Sequence, residues 1–215
     1  MSQAAALLRQ GIAELGLSLP PSDDERLLDY LTLLAKWNRV YNLTALRGEA
    51  KWVTHHLLDS LAVVPHLPPG RIVDVGSGAG LPGIPIAFAC PDTQVTLLDS
   101  NQKKGAFLTQ ASTELALRNV KVVIERAESY RPVTTYDVVI SRAFSSISDF
   151  IRLAGHLRTP GGVLAAMKGA RPDAETAQLP DSWTAEAIVP LHVPHLDAER
   201  HLVFLRPSPQ SMRSE

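Results

Sequence analysis

The stretch Arg71-Ile72-Val73-Asp74-Val75-Gly76-Ser77-Gly78-Ala79-Gly80-Leu81-Pro82-Gly83 constrains the fold more than any other part of this 215-residue chain. A run of apolar and β-branched residues leads into four glycines, so a buried strand has to break into a turn whose backbone carries no side chains. Amides around such a turn, and those opening the next helix, are expected to point outward and to hold a nucleoside or a charged group. Twenty-three residues beyond Gly76, Asp99 closes a second apolar run, Gln94-Val95-Thr96-Leu97-Leu98. A carboxylate at that place can bond a ribose diol, as in doubly wound nucleotide folds. The same residues also fit a tight turn followed by a helix that Asp99 caps; the glycines and the acid together favour a binding site.

The rest of the chain supplies the frame. Residues 1–66 read as a helical region. Pro20-Pro21 stops what precedes it, and Ser22-Asp23-Asp24-Glu25 has the form of a capping box. Leu27, Leu28, Leu31, Leu34, Ala35 and Trp37 then recur at helical spacing as one apolar stripe. Asn38 to Thr44 loses that period and reads as a connection, and Lys51 to Val64 resumes a helix that Pro65 ends. From Arg71 on, strands (71–76, 94–99, 120–125, 136–141, 162–168) alternate with helices (82–90, 102–117, 147–158), which implies a parallel sheet covered on both faces. A short helix near 172–179 and two strands, Trp183–Val193 and Arg200–Arg206, complete the unit as an antiparallel hairpin. The expectation is an α/β fold: a Rossmann-like, mostly parallel seven-stranded sheet over 70–207, an N-terminal helical extension, and a frayed tail at 208–215.

Composition excludes several function classes. There is no apolar run long enough to span a membrane, and Met1 to Leu17 carries Arg9 and Glu14 in place of a secretory leader. The single cysteine, Cys90, rules out an internal disulfide and a multi-cysteine zinc site, which fits a cytoplasmic protein. A net charge of −1 argues against a globally basic nucleic-acid coat. His55, His56 and Asp59 offer one i,i+4 pair, too few ligands for a metal site. Cys90 is placed at the amino edge of the sheet, away from any ligand, and His192, His195 and His201 read as incidental.

Several segments together resemble one family. They are Trp37-Asn38 with Asn42-Leu43-Thr44; His56-Leu57-Leu58-Asp59-Ser60; Asp74 to Pro85; Thr96 to Ser100 with Lys103; Arg126-Ala127-Glu128; Tyr136 to Val139 with Ser141-Arg142-Ala143-Phe144; and Pro160-Gly161-Gly162 with Lys168-Gly169. The chain resembles the bacterial RsmG/GidB methyltransferases over roughly residues 37–169. The resemblance implies a class I fold that uses S-adenosylmethionine to methylate N7 of a guanine in 16S ribosomal RNA. It further implies that Gly76, Ser77, Gly78, Gly80 and Leu81 form the loop under the methionyl part, with Asp99 on the ribose and Ala127 and Glu128 at the adenine. For Glu128 alone, a solvated loop carboxylate is the competing reading.

Two cations follow strands on the ligand-binding edge. Arg142, after the fourth strand, can hold a carboxylate, a phosphate, or the O6 and N7 acceptors of guanine, and is the candidate for orienting substrate and touching cofactor. Lys168, ending the fifth strand, could meet a phosphate. An ion pair and an exposed charge are their respective alternatives. The Ser-Arg-Ala-Phe sequence lacks the Asn/Asp-Pro-Pro-aromatic signature of many exocyclic-amine methyltransferases, and no cysteine is placed for attack on a pyrimidine. Guanine N7 carries a lone pair and no proton, so in-line transfer onto it needs alignment and a suitable field rather than a general base.

The expected partner is 16S rRNA or the small ribosomal subunit, met by a monomer without membrane or metal. Arg39, Arg47, Lys51, Lys103, Lys104, Arg118 and Lys121 are candidate RNA contacts. Phe144 could stack on an extruded base, though a core position is the preferred reading. The rival classes are a nicotinamide-dependent oxidoreductase, since Gly78 to Gly83 spells G-x-G-x-x-G, a non-catalytic RNA-binding module, and a small-molecule methyltransferase. In the first, the opening glycine should close the strand, which here is Gly76 and leaves Leu81 at the third glycine position.

Overall fold

The computed structural model describes residues 3–142 and 144–209. Two helices open the chain, α1 (Gln3–Glu14) and α2 (Pro21–Tyr41). The expected capping box at Ser22 is not formed, because the helix begins on Pro21 with no side-chain cap. Proline has no N–H to leave unpaired and its fixed φ suits a first turn; Asp23 and Asp24 then face the positive end of the helix. The helix also runs on to Tyr41, past the point where the apolar period fails, and closes on Asn42 at φ 48°. Asn38 breaks the period for a reason: its Oδ1 accepts the Thr44 amide at 2.8 Å and ties down the following loop.

The expected continuous helix over 51–64 is four pieces. They are α3 (Glu49–Trp52), a π-helical turn Val53–Leu58, α4 (Asp59–Leu61), and a 3₁₀ turn Val64–His66 that contains Pro65. Next come β1 (Ile72–Val75), α5 (Gly83–Ala89), β2 (Val95–Leu98), α6 (Gln102–Glu114), β3 (Val120–Val123), β4 (Tyr136–Ser141) and α7 (Ile147–Ala154). β5 (Arg158–Lys168), α8 (Asp173–Thr176), β6 (Trp183–Pro190) and β7 (His201–Pro207) finish the unit. Pro160-Gly161-Gly162, read as a break before the fifth strand, lies inside β5. The tail beyond residue 209 and Ala143 of the Ser-Arg-Ala-Phe motif lie outside the described residues.

The seven strands form one sheet in the order β3-β2-β1-β4-β5-β7-β6. β1 to β5 are mutually parallel and β7 runs antiparallel to both neighbours, as expected for the terminal hairpin. β1 and β2 are buried at every position, the mark of a sheet covered on two faces. Alternation splits them between two cores. Ile72, Leu97, Ile140 and Ala165 pack with α1, α2, α5 and α6 in one core, whereas Val73, Val75, Val139 and Leu164 pack with α7 in the other. The N-terminal helices share the first of these cores with the sheet. The order of strand addition switches sides between the parallel neighbours β1 and β4, so the crevice for a ligand opens at their carboxyl ends.

Candidate active site

Gly76 follows β1 directly at φ 71°, Gly78 lies at 59° and Gly80 at 86°, a left-handed backbone that side chains resist. The glycine motif therefore opens on Gly76, the register that disfavours a dinucleotide fingerprint. Most of the amides expected to be free are taken. Gly76 N and Ser77 N donate to Leu98 O, Gly80 N and Leu81 N to Ser77 O, Gly78 N to Asp99 Oδ2 at 2.9 Å, and Gly83 N to Asp74 Oδ2 at 2.9 Å. The turn closes largely on itself, and two carboxylates, Asp99 and Asp74, take the Gly78 amide and the amide that opens α5. What it offers a ligand is bare backbone surface.

Gly78 and Gly80 differ in what they face. A Cβ on Gly78 would project into open space, whereas one on Gly80 would run into Ile84 and Leu108 beneath the loop. Ser77 turns its hydroxyl to Asp74 O at 2.7 Å. Leu81 is buried. From α2, the Tyr30 hydroxyl donates to Ala79 O at 2.7 Å, so the N-terminal extension braces the loop from outside.

Two pockets flank Gly76. One is lined by Gly76, Asp99, Ser100, Ala127, Glu128 and Phe144, which brings together the residues expected at ribose and adenine. Asp99 is 6% exposed; its Oδ1 accepts the Asn101 amide at 2.9 Å, and Lys104 Nζ lies 3.8 Å from Oδ2. A carboxylate has further lone pairs for hydroxyl donors. Glu128 stays largely open to solvent, 3.6 Å from Arg126, and Phe144 stacks on Phe150 at 5.1 Å while forming pocket wall. The second pocket is lined by Leu43, Thr44, His56, Gly76, Ser77, Gly78, Leu81 and Arg142. Leu43, Thr44 and His56, which belong to the segments that carry the family resemblance, are brought to the glycine turn by the fold.

Beyond Arg142 lies a larger cavity of about 500 Å³, lined by Leu46, His55, His56, Asp59, Arg142, Met167, Lys168, Leu191, Arg200 and His201. Arg142 and His56 line both this cavity and the glycine pocket. Arg142 Nη1 donates to Asp59 Oδ2 at 3.0 Å and to His55 O at 3.2 Å. Arg200, which no sequence signal marked, donates Nε to Asp59 Oδ1 at 2.7 Å. His201 is buried, with Nδ1 2.9 Å from Gly169 O. Lys168 is committed: Nζ lies 2.9 Å from Glu175 Oε2 and donates to Ser145 O at 3.2 Å. His56 has its pKa pushed down to about 4, by burial first and the Arg142 charge second, and Nε2 lies 3.0 Å from Thr44 Oγ1. Asp74, fully buried, is pushed up to about 7 by desolvation.

The cation candidates divide. Lys104 sits beside the pocket residue Asp99 and Arg47 Nη1 donates to the carbonyl of the pocket residue Thr44, while Lys103 lies 5.5 Å from the Tyr41 ring. Lys121 pairs in register with Thr96 on the edge strand β3, and Arg118 precedes that strand, toward the opposite edge of the sheet. Cys90 ends α5, half-buried, its thiol pushed up by desolvation, and lines none of these pockets. Among the described residues no group of three or more His, Cys, Asp or Glu could hold a metal, and no helix is long and apolar enough to cross a membrane.

Sheet order, glycine turn and acid at the end of β2 define a class: this is the fold of S-adenosylmethionine-dependent methyltransferases. Solved structures bear this out at the level of fold. The O-methyltransferase TomG of Streptomyces achromogenes matches with TM-score 0.58 and 17% identity over 97% of this chain and all of its own. A predicted O-methyltransferase of Agrobacterium tumefaciens matches at 0.55 and 22%, covering 72% of this chain and 82% of that one. Within the class, residues 23–203 match the family model GidB, described as rRNA small subunit methyltransferase G. The ribosomal RNA small subunit methyltransferase G of Ralstonia nicotianae is 54% identical over 94% of both chains, and that of Nitrosospira multiformis is 53% identical over 94% of this chain and 97% of its own. The chain belongs to this family.

Proposed function

We propose that this enzyme methylates N7 of a guanine in 16S ribosomal RNA, in the cytoplasm, without a general base. The observation that carries the reading is the place of Arg142, a wall shared by the glycine pocket and the large cavity, in a chain whose relatives are named for small-subunit rRNA. Gly76 and Gly78 give close approach to a donor, Asp99 takes its ribose hydroxyls, and Ala127 and Glu128 flank its adenine. Bound there, S-adenosylmethionine supplies a methyl group on a positively charged sulfur. Arg142 orients the guanine by donating to O6, which leaves the N7 lone pair free to react. No residue lining the junction is asked to take a proton, and the neutral His56 keeps its Thr44 bond throughout. Lys168 shapes the wall by holding the turn at Ser145.

The test is transfer of tritiated methyl groups to small subunits from cells lacking the enzyme, followed by mapping of the labelled base. Label at a guanine N7 is the expected result; label on protein or metabolite with none on RNA overturns the reading. Arg142→Ala is expected to lower turnover on RNA about 10²-fold or more, the scale of losing one oriented donor. Unchanged turnover removes the role given to Arg142. Calorimetry with NADH and with S-adenosylmethionine separates the oxidoreductase: heat with NADH alone ends the proposal.

A further inference from the structure

Asp59 and Arg200, which orienting the guanine does not call on, meet Arg142 in the wall of the large cavity. Asp59 is 2% exposed, yet two arginines from distant parts of the fold meet on it. Arg142 reaches Oδ2 at 3.0 Å from the end of β4, and Arg200 reaches Oδ1 at 2.7 Å from the start of β7. Each oxygen thus fixes one planar fork. The backbone is shaped to the same end. In an α-helix the Asp59 amide would donate to the His55 carbonyl four residues back. Here the π-turn sends that amide to Thr54 O and His56 O. The His55 oxygen, no longer taken by the Asp59 amide, accepts from Arg142 Nη1 at 3.2 Å and lies 3.1 Å from His56 Nδ1.

Charge points the same way. One carboxylate between two guanidiniums leaves one uncompensated positive charge facing the cavity, and Lys168 adds none because Glu175 balances it at 2.9 Å. Among the described residues, Nε and Nη2 of Arg142 and Nη2 of Arg200 have no partner. These are donors held in place and left over. A strand of phosphodiesters is the chemistry that such a surplus fits.

We infer that Asp59 is a positioning residue for methyl transfer, locking Arg142 and Arg200 into one two-forked clamp for the ionised RNA strand that carries the target base. The inference rests on the rRNA reading, and it gives the N-terminal extension a share in catalysis: the residue that aims the arginines comes from α4, outside the sheet.

The test is a variant cycle assayed on small subunits, with cofactor affinity measured in parallel. Asp59→Asn keeps the volume and loses the charge. It is expected to lower kcat about 10²-fold, the cost of a misaimed group, with the Kd for S-adenosylmethionine within about threefold of wild type. In a background of Arg142→Ala with Arg200→Ala, adding Asp59→Asn should change turnover by less than about threefold, because residues acting through one another are not additive. A folded Asp59→Asn with wild-type kcat overturns the inference, as does an equal loss in the background without the arginines, which marks a merely structural role. Should Asp59→Asn fail to fold, Arg200→Lys keeps the charge and loses the fork; kcat lower by about tenfold at unchanged cofactor Kd is expected, and wild-type kcat overturns the inference. A wild-type protein that labels no RNA removes the reading underneath and the inference with it, whereas active wild type beside an equally active Asp59→Asn removes the inference alone.

Discussion

The glycine loop and the arginine cavity share a wall at His56 and Arg142, but they are assembled in opposite ways. In the loop, Gly76, Gly78 and Gly80 are set chiefly by backbone angles, with bonds from Gly83 N to Asp74 nine residues away and from Gly78 N to Asp99 21 residues away. In the cavity, Asp59 meets Arg142 across 83 residues and Arg200 across 141. A site made of backbone is written in a short stretch of sequence. A site made of side chains exists only once the sheet and the extension have come together, and it costs desolvation of charges that must then be paired.

The largest effect expected from breaking this contrast is on the loop side. If the loop is a preformed surface, its underside has to be filled by neighbours rather than by its own side chains. Gly80→Val puts a branched side chain at φ 86° against Ile84 and Leu108. The backbone strain and the overpacking together should cost about 3–5 kcal/mol, a large share of the ~5–15 kcal/mol that holds a domain together. Urea unfolding measures it; a loss under about 1 kcal/mol would mean that the loop yields and is not preformed.

The next effect belongs to the cavity side and shows as pH dependence. His56 has a folded pKa near 4, against its ordinary 6.5, with burial, the Arg142 charge and the His55 charge pushing it down, and the His55 carbonyl and Asp59 pulling it up. The unfolded chain therefore binds the extra proton first, so the stability His56 contributes is full above about 6.5 and is lost as pH falls toward 4. Asp74, raised to about 7, has the reverse sign: its cost to stability grows as pH rises from its ordinary value toward 7. The two offset each other in the wild type. His56→Gln should uncover Asp74, and the stability difference between wild type and variant should grow by about 2 kcal/mol between pH 4.5 and 6.5. Parallel profiles over that window would show that His56 is not held neutral by its surroundings.

The same contrast explains what could be read in the sequence. The strand, the glycine turn and Asp99 were legible because burial pattern and backbone freedom are local properties. Arg142 and Lys168 were legible as positions, from their place after parallel strands, but not in their partners. Arg200 carried no signal, since its pairing with Asp59 depends on where β7 returns beside the extension. The π-turn was hidden for another reason: apolar spacing in Val53–Leu58 reports which face is buried, not which carbonyl each amide chooses. The start of α2 at Pro21 was missed because a capping box and a proline first turn compete for the same residues, and the proline fits the first turn without any cap.

The smallest effect sharpens the comparison from inside the loop. Gly78 has the same left-handed backbone as Gly80, φ 59°, but a Cβ there meets nothing beyond Gly76 O at 3.8 Å. With no packing term, Gly78→Ala pays only the backbone strain of about 1–2 kcal/mol. Its methyl group would stand on the pocket surface lined by Gly76 and Ser77, where a ligand meets bare main chain. Cofactor affinity should therefore fall about tenfold, equivalent to ~1.4 kcal/mol, in a protein that remains folded. Calorimetry with S-adenosylmethionine reads the shift directly. An unchanged Kd would place the donor off Gly78 and leave the glycine there as turn geometry alone; a loss of stability equal to that of Gly80→Val would erase the distinction between the two faces of the loop.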